Sequence, residues 1–219
     1  MEQVMVRVLL ADDHDVVRRG LRDEINGHEG WEVCGEASNG REAVKLALKL
    51  QPDVVVLDLS MPELNGLEAT RQIRRELPRT EVLIFTMHET EQLIREVLSA
   101  GARGYVLKSD AGRHLVSAVE ALSHHKPFFT AKVSEALLDA FLKSAAKPDE
   151  GSVFRTLTDR EREIVQMLAE GKSNKEIATK LSISVKTVET HRATIMRKLD
   201  INSIVELVHY AIRNQLVEA

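Results

Sequence analysis

Five polar residues of this chain each fall at the end of a short apolar run. Asp12 and Asp13 follow VRVLLA, Asp58 follows VVVL, Thr86 closes VLIFT and Lys108 closes GYVLK. If those runs are neighbouring strands, all five side chains converge at one edge of a sheet. Carboxylates brought within a few ångström of one another repel unless a cation joins them, and hard oxygen ligands with room for water suit magnesium. Asp12, Asp13 and Asp58 therefore predict a Mg2+ site. A carboxylate can also act as a nucleophile and form an acyl phosphate, whose oxygens then need a metal, a hydroxyl donor and an ammonium as partners. Thr86 and Lys108 have the chemistry of the last two.

The elements that must hold these residues are legible from hydrophobic periodicity. Runs at Val6 to Ala11, Glu32 to Ala37, Val54 to Asp58, Val82 to Thr86 and Gly104 to Lys108 read as five strands. Helical patterns lie between and after them, marked by Val17, Leu21 and Ile25, by Ala43, Val44, Ala47 and Leu48, by a polar RQIRREL stretch, by Leu93, Ile94, Val97 and Leu98, and by Leu115, Ala118, Val119 and Leu122. Strict alternation of strand and helix implies a doubly wound α/β domain with a parallel sheet and right-handed crossovers, here over residues 1–125. The third and fourth strands are apolar throughout, as strands covered on both faces should be. In open sheets of this kind ligands bind beyond the carboxyl ends of the strands, where the five polar residues fall.

From Lys126 to Arg155 the pattern loosens, with one short helix suggested by Leu137, Leu138 and Phe141 and a linker at Lys147 to Ser152. Residues 156–219 read as all helix. Thr158-x-x-Glu161 and Ser173-x-x-Glu176 have capping-box spacing, Gly171 falls where a helix should stop, and further helices start after Ser184 and Asn202.

With ADDH, VVLDLSMPELNGLE, a strand-closing Thr86 and GARGYVLK in these places, residues 4–125 resemble the receiver domain of two-component response regulators. The resemblance implies a flavodoxin-like, five-stranded parallel fold in which Asp58 accepts a phosphoryl group from the phosphohistidine of a sensor histidine kinase. It further implies that Asp12 and especially Asp13 hold Mg2+ with Asp58 and the backbone carbonyl of Ser60. Thr86 and Lys108 would contact the phosphoryl group, and rotation of Thr86 would be coupled to an inward movement of Tyr105, the switch aromatic. Ser60 and His88, each two residues past a site residue, occupy positions that in the family influence how fast the acyl phosphate hydrolyses. Ser109 stands where the family frequently has proline, and a cis Lys108–Ser109 bond would cost ~2.5–4 kcal/mol against ~0.5–1 for X-Pro, which leaves the isomer open. His88 and the pair His124 and His125 read as exposed-loop residues in preference to metal ligands.

Asn174 to Leu199 has helix-turn-helix spacing: Ile177, Ala178 and Leu181 form one stripe, Ile183 fills the turn, and Val185, Val188, Ile195 and Leu199 form the next. The second helix then buries its valines and presents Lys186, Thr187, Glu189, Thr190, Arg192 and Ala193 near its start, the end that enters the major groove in such motifs. Residues 157–211 resemble the LuxR-type DNA-binding domain, and the whole chain resembles the NarL/FixJ class of transcriptional regulators. That resemblance implies base contacts at Glu189, Thr190 and Ala193, and phosphate contacts at Lys186, Thr187, Arg192 and Lys198. A carboxylate facing DNA repels phosphate unless it accepts from a cytosine amino group, so Glu189 is either a base reader or a solvated surface acid. Ile204, Leu207, Val208, Ala211 and Ile212 recur at helical spacing. In the family this last helix pairs two domains on DNA, with half-sites about one turn, ~10 bp, apart. The same stripe would equally close a small core.

Composition narrows the alternatives. With 43% hydrophobic and 29% charged residues, 5 prolines and 11 glycines, the chain is neither disordered nor collagenous. Its single cysteine, Cys34, forbids an internal disulfide, and no apolar stretch approaches membrane-spanning length, so a cytoplasmic protein away from membranes is expected. The net charge of −4 divides into −5 before Thr156 and +1 from there on, with four cations against one anion between Ser184 and Leu199. A nucleotide- or flavin-dependent enzyme would need a glycine-rich loop after the first strand, and ADDHDVVRRG offers only Gly20. The expectation is a DNA-binding transcription factor, homodimeric when active, that is no enzyme beyond assisting its own phosphorylation and dephosphorylation. The alternative is a pseudo-receiver controlled by a ligand or protein without phosphorylation.

Overall fold

In a computed structural model that describes residues 5–131, 133–135, 157–214 and 216–217, the five expected strands lie in one parallel sheet. The chain divides into an N-terminal α/β unit and a C-terminal helical unit. The helix expected at Leu137, Leu138 and Phe141 and the linker at Lys147 to Ser152 lie outside the described residues.

The first unit runs β1 (Val6–Ala11), α1 (Asp15–Asn26), β2 (Trp31–Ala37), α2 (Gly40–Leu50), β3 (Val54–Leu57), α3 (Gly66–Glu76), β4 (Glu81–Thr86), α4 (Glu91–Ser99), β5 (Gly104–Leu107), α5 (Ala111–Ser123) and β6 (Phe128–Phe129). The strand order is β2-β1-β3-β4-β5-β6. Every residue of β3 and β4 is buried, because helices cover both faces. One face packs Val8, Leu10, Val54, Val56, Leu83, Phe85 and Val106 against Leu21 and Ile25 of α1 and Leu115, Ala118, Val119 and Leu122 of α5. Polar residues start the helices: the Asn39 side chain accepts from the Glu42 N–H, Asn65 from Glu68 and Thr90 from Leu93.

The sixth strand departs from the sequence expectation. Phe128 and Phe129, within the stretch read as linker, pair with Gly104 and Tyr105 of β5. Two residues are too few to show an alternating pattern, so the pairing left no periodic signal. Among the described residues no peptide bond is cis, so Lys108–Ser109 is trans.

The second unit consists of α6 (Asp159–Ala169), α7 (Asn174–Lys180), α8 (Val185–Leu199) and α9 (Ile204–Arg213). Both capping boxes form, at Thr158 with Glu161 and at Ser173 with Glu176, and Gly171 ends α6 at a φ of +79°. Ile164, Val165, Leu168, Ile177, Val188, Ile195, Leu207 and Ala211 share its core. Two expectations are corrected here. Val185 is 39% exposed, because it occupies the first turn of α8, so only Val188 of the two valines is buried. Leu207 and Ala211 are fully buried and close the core, whereas Ile204 and Val205 are 40% and 58% exposed. The apolar stripe of α9 is therefore two stripes, one of them turned inward.

Candidate functional site

The acidic pocket follows from strand register. Ala11 of β1 pairs with Leu57 of β3, and the Asp58 N–H donates to the Ala11 carbonyl at 2.8 Å, so Asp12 and Asp58 leave the sheet side by side. The junction of β1 and β3 is the point where strand order reverses, the usual ligand crevice of such sheets. One ligand atom from each of Asp12, Asp13, His14 and Asp58 lies within 4.8 Å of the others. Opposite donors in a Mg2+ octahedron stand roughly 4 Å apart, so the donor set and its spread fit a hard divalent cation after small carboxylate shifts. Asp12 and Asp58 are buried, and Asp13 is exposed at the mouth.

Lys108 follows β5 directly and reaches across β4 into this pocket. Its Nζ lies 2.7 Å from Asp12 Oδ2 and 2.8 Å from Asp58 Oδ2. The other Asp58 oxygen accepts the Leu59 N–H at 2.8 Å. Burial pushes the Asp58 carboxyl up to about 6; the Lys108 ammonium opposes the rise and the Asp12 carboxylate adds to it. Burial by itself would lower the Lys108 ammonium, but the two carboxylates outweigh it and hold that group above its ordinary value. The arrangement gives a nucleophilic oxygen that is ionised at neutral pH and held against a cation.

Leu57 pairs with Ile84, which brings Thr86 level with the residues just beyond β3. The Thr86 hydroxyl is buried and accepts the His88 N–H at 3.2 Å. Tyr105 is fully buried, and its hydroxyl donates to the His88 carbonyl. The β4–α4 loop thus supplies an acceptor for the buried Tyr105 hydroxyl. His88 also approaches Ser60, with Nε2 3.3 Å from Oγ. The sequence reads His88 as an exposed-loop residue in preference to a metal ligand, at a position that in the family influences acyl-phosphate hydrolysis. Its backbone joins Thr86 and Tyr105, which residue type does not reveal, while its ring meets Ser60. His125 is equally engaged, with Nδ1 2.9 Å from the buried Glu81, beside Arg74 and Arg103 at the start of β4, away from the pocket.

In the second unit the outer face of α8 forms a shallow concave patch lined by Lys186, Glu189, Thr190, Ala193, Thr194 and Arg197. Thr190 Oγ1 donates to the Lys186 carbonyl at 2.9 Å, and Ser184 Oγ caps the helix by accepting the Thr187 N–H at 3.0 Å. Among the described residues, the side chains of Lys186, Glu189, Arg192 and Arg197 enter no ion pair or hydrogen bond. Thr187 and Arg192 flank the patch half-buried. Lys198 is not brought together with them: its Nζ is 2.7 Å from the buried Glu161 of α6. Thr194 and Arg197 were missed in the sequence, although each lies four residues past a selected one, on the same helical face.

Comparison with known proteins agrees with both halves. Residues 8–120 match the family described as response regulator receiver domain, and residues 155–211 match bacterial regulatory proteins of the luxR family. The chain is similar to the transcriptional regulatory protein LiaR of Bacillus subtilis, at 41% identity over 215 residues, 97% of this chain and 100% of LiaR. It is likewise similar to the oxygen regulatory protein NreC of Staphylococcus carnosus, at 40% identity over 217 residues, covering 97% of this chain and 100% of NreC. Among solved structures, a complex of the two-component response regulator RcsB with DNA aligns at a TM-score of 0.58 and 30% identity, covering 94% of this chain and 97% of RcsB. Among the described residues no helix is long and apolar enough to cross a membrane.

Proposed function

The chain belongs to the two-component response regulators that join a receiver domain to a LuxR-type DNA-binding domain, and we propose that phosphoryl transfer to Asp58 governs how its second unit meets DNA. The observation that carries this reading is the buried Asp58 carboxylate at the β1–β3 junction, flanked by Asp12 and Asp13 and bridged by Lys108. One Asp58 oxygen attacks the phosphorus of a phosphohistidine on a sensor histidine kinase. The P–O bond forms as the P–N bond breaks, and the imidazole leaves with the electron pair. Asp12, Asp13, Asp58 and the Ser60 carbonyl would hold a Mg2+, which when bound offsets the negative charge of the carboxylates and of the phosphoryl oxygens.

This chain's own residues then exchange partners. Lys108 turns from the Asp58 carboxylate to a phosphoryl oxygen, and Thr86, now an acceptor for His88, becomes a donor to another. Loss of the Thr86–His88 bond loosens the loop whose carbonyl holds Tyr105. The population of conformers at α4, β5 and α5 shifts as a result. Ser60 and His88 border the acyl phosphate and set its lifetime, through which the receiver assists its own dephosphorylation.

In the second unit α8 enters the major groove, with Glu189, Thr190 and Ala193 toward base edges and Lys186, Thr187 and Arg192 toward phosphates. Lys198 serves Glu161 instead of phosphate. Solved complexes of RcsB with DNA, including one of RcsB dimers, support both the DNA partner and a homodimer, which would meet paired half-sites. Pairing uses the exposed stripe of Ile204 and Val205 with the half-buried Val208, since Leu207 and Ala211 face inward. The cytoplasm is the proposed compartment. The test is labelling with acetyl phosphate and Mg2+ followed by intact mass. A gain of about 80 Da in the wild type and none in Asp58→Asn is expected. Binding of Mg2+ without that gain overturns the reading in favour of a receiver that responds to a ligand or a protein.

A further inference from the structure

We infer that Arg18, which touches neither the phosphoacceptor nor any cation-ligand side chain, is a positioning residue that presents Asp13 to the divalent cation. The inference rests on the magnesium reading above. Arg18 lies on the first turns of α1, with its side chain only 14% exposed. One guanidinium nitrogen, Nη1, donates to the backbone carbonyl of Asp12 at 2.6 Å. Nη2 pairs with the Asp15 carboxylate, and Nε lies 3.6 Å from Glu36 Oε2 at the end of β2. Glu36 is itself held by Arg22 Nη1 at 2.9 Å. The guanidinium thus pairs with the Asp15 carboxylate, stands in the field of Glu36 and offers Nη1 to one main-chain oxygen.

That oxygen belongs to the peptide whose nitrogen is Asp13's. A peptide unit is planar, so fixing the Asp12 carbonyl fixes the direction in which the chain enters Asp13. The remaining atoms of Asp12 are already tied down: its N–H donates to the Ala37 carbonyl at 3.2 Å, and its Oδ1 accepts the His14 N–H at 2.9 Å. Asp13 lacks any such support from the sheet. Its carboxylate meets only the exposed His14 Nδ1, at 2.7 Å, among the contacts of the described residues. The rigidity that a cation ligand needs must come from the peptide, and Arg18 is the group that clamps it.

Charge makes the inference testable by sign. A guanidinium beside a dication site repels the dication, so if Arg18 acted through charge alone, its removal would tighten Mg2+ binding. A positioning role predicts the reverse. The experiment measures Mg2+ affinity of the full chain by titration calorimetry for wild type, Arg18→Met and Arg18→Lys, with acetyl phosphate labelling followed across Mg2+ concentration. Arg18→Met should raise the Mg2+ dissociation constant about tenfold, the low end for groups that orient metal ligands. Arg18→Lys, which keeps a donor for the Asp12 carbonyl, should recover most of that loss. The labelling midpoint should move to higher Mg2+ while the rate at saturation stays at the wild-type value. An unchanged or tighter Mg2+ constant in Arg18→Met overturns the inference. So does an equal loss in both variants with a reduced rate at saturating Mg2+, which marks a general structural defect. Wild-type protein that binds no Mg2+ would overturn the magnesium reading itself.

Discussion

Replacing Asp58 with Asn should make the cation-free protein more stable, although it destroys the phosphoacceptor. Burial raises the Asp58 carboxyl from 3.8 to about 6, so the folded chain favours its protonated form. For a carboxyl raised in this way, the stability contributed by the neutral form is fully present below pH 3.8 and is lost as pH rises through about 6. The shift of roughly two units corresponds to about 3 kcal/mol of strain at pH 8, at ~1.4 kcal/mol per unit. Asparagine has the shape of the protonated group and carries no charge, so about 3 kcal/mol is the ceiling of the gain. Lys108 loses one partner in the variant but keeps Asp12 at 2.7 Å. For a domain of this size each kcal/mol moves the melting midpoint by about 3 °C, which gives up to roughly 9 °C. Trp31 is the only tryptophan and packs against the core of the first unit, so its fluorescence follows that unit alone. Melts in EDTA should show Asp58→Asn well above wild type at pH 8 and level with it at pH 4. Mg2+ should then raise the wild type more than the variant. A variant no more stable than wild type at pH 8 in EDTA would refute the argument that burial strains this carboxylate.

Three further outcomes are expected. A Cβ on Gly66 would stand 2.0 Å from the Asp58 carbonyl oxygen, so Gly66→Ala should cost about 3 kcal/mol or more in urea unfolding and lower the acetyl phosphate labelling rate. Lys186→Ala should reduce the slope of log affinity against log salt for DNA by about 1, whereas Lys198→Ala, which leaves the Glu161 carboxylate with its Thr158 cap partner alone, should leave that slope intact and cost the second unit about 1 kcal/mol. On α9, Leu207→Ala should destabilise the second unit by about 2–5 kcal/mol. Val205→Glu should leave its melting midpoint unchanged yet abolish cooperative binding to paired half-sites, which fluorescence anisotropy on single and paired sites would separate.

The sheet and the acidic pocket were legible because their signals are local. The runs at β3 and β4 are apolar on both faces, and the residue just past a strand end is fixed once the strand is known. What stayed hidden depends on partners distant in sequence or on the main chain. Lys198 reads as one more cation on a basic helix until Glu161, 37 residues away, is seen against it. The two faces of α9 carry similar apolar residues, and only packing against α6 decides that Leu207 turns inward. His88 reaches Thr86 and Tyr105 through its amide and carbonyl, which every residue possesses. Arg18 sits in DVVRRG, where two adjacent arginines look like an ordinary solvated face; Arg19 is exposed and Arg18 is not.

The short strand β6 has a practical consequence for anyone isolating the receiver. A fragment ending at His125, where the helical pattern stops, would strip Phe128 and Phe129 from β5 and bare main-chain donors and acceptors of that strand. Such an edge is a template for pairing with a second chain. Among the described residues, Phe128 also packs on the core and its N–H donates to the Arg103 carbonyl at 2.9 Å. A fragment cut there would tend to self-associate through β5, and its oligomeric state would report the cut instead of the phosphorylation. Fragments ending beyond Thr130 keep β5 paired and leave only the two-residue β6 at the edge.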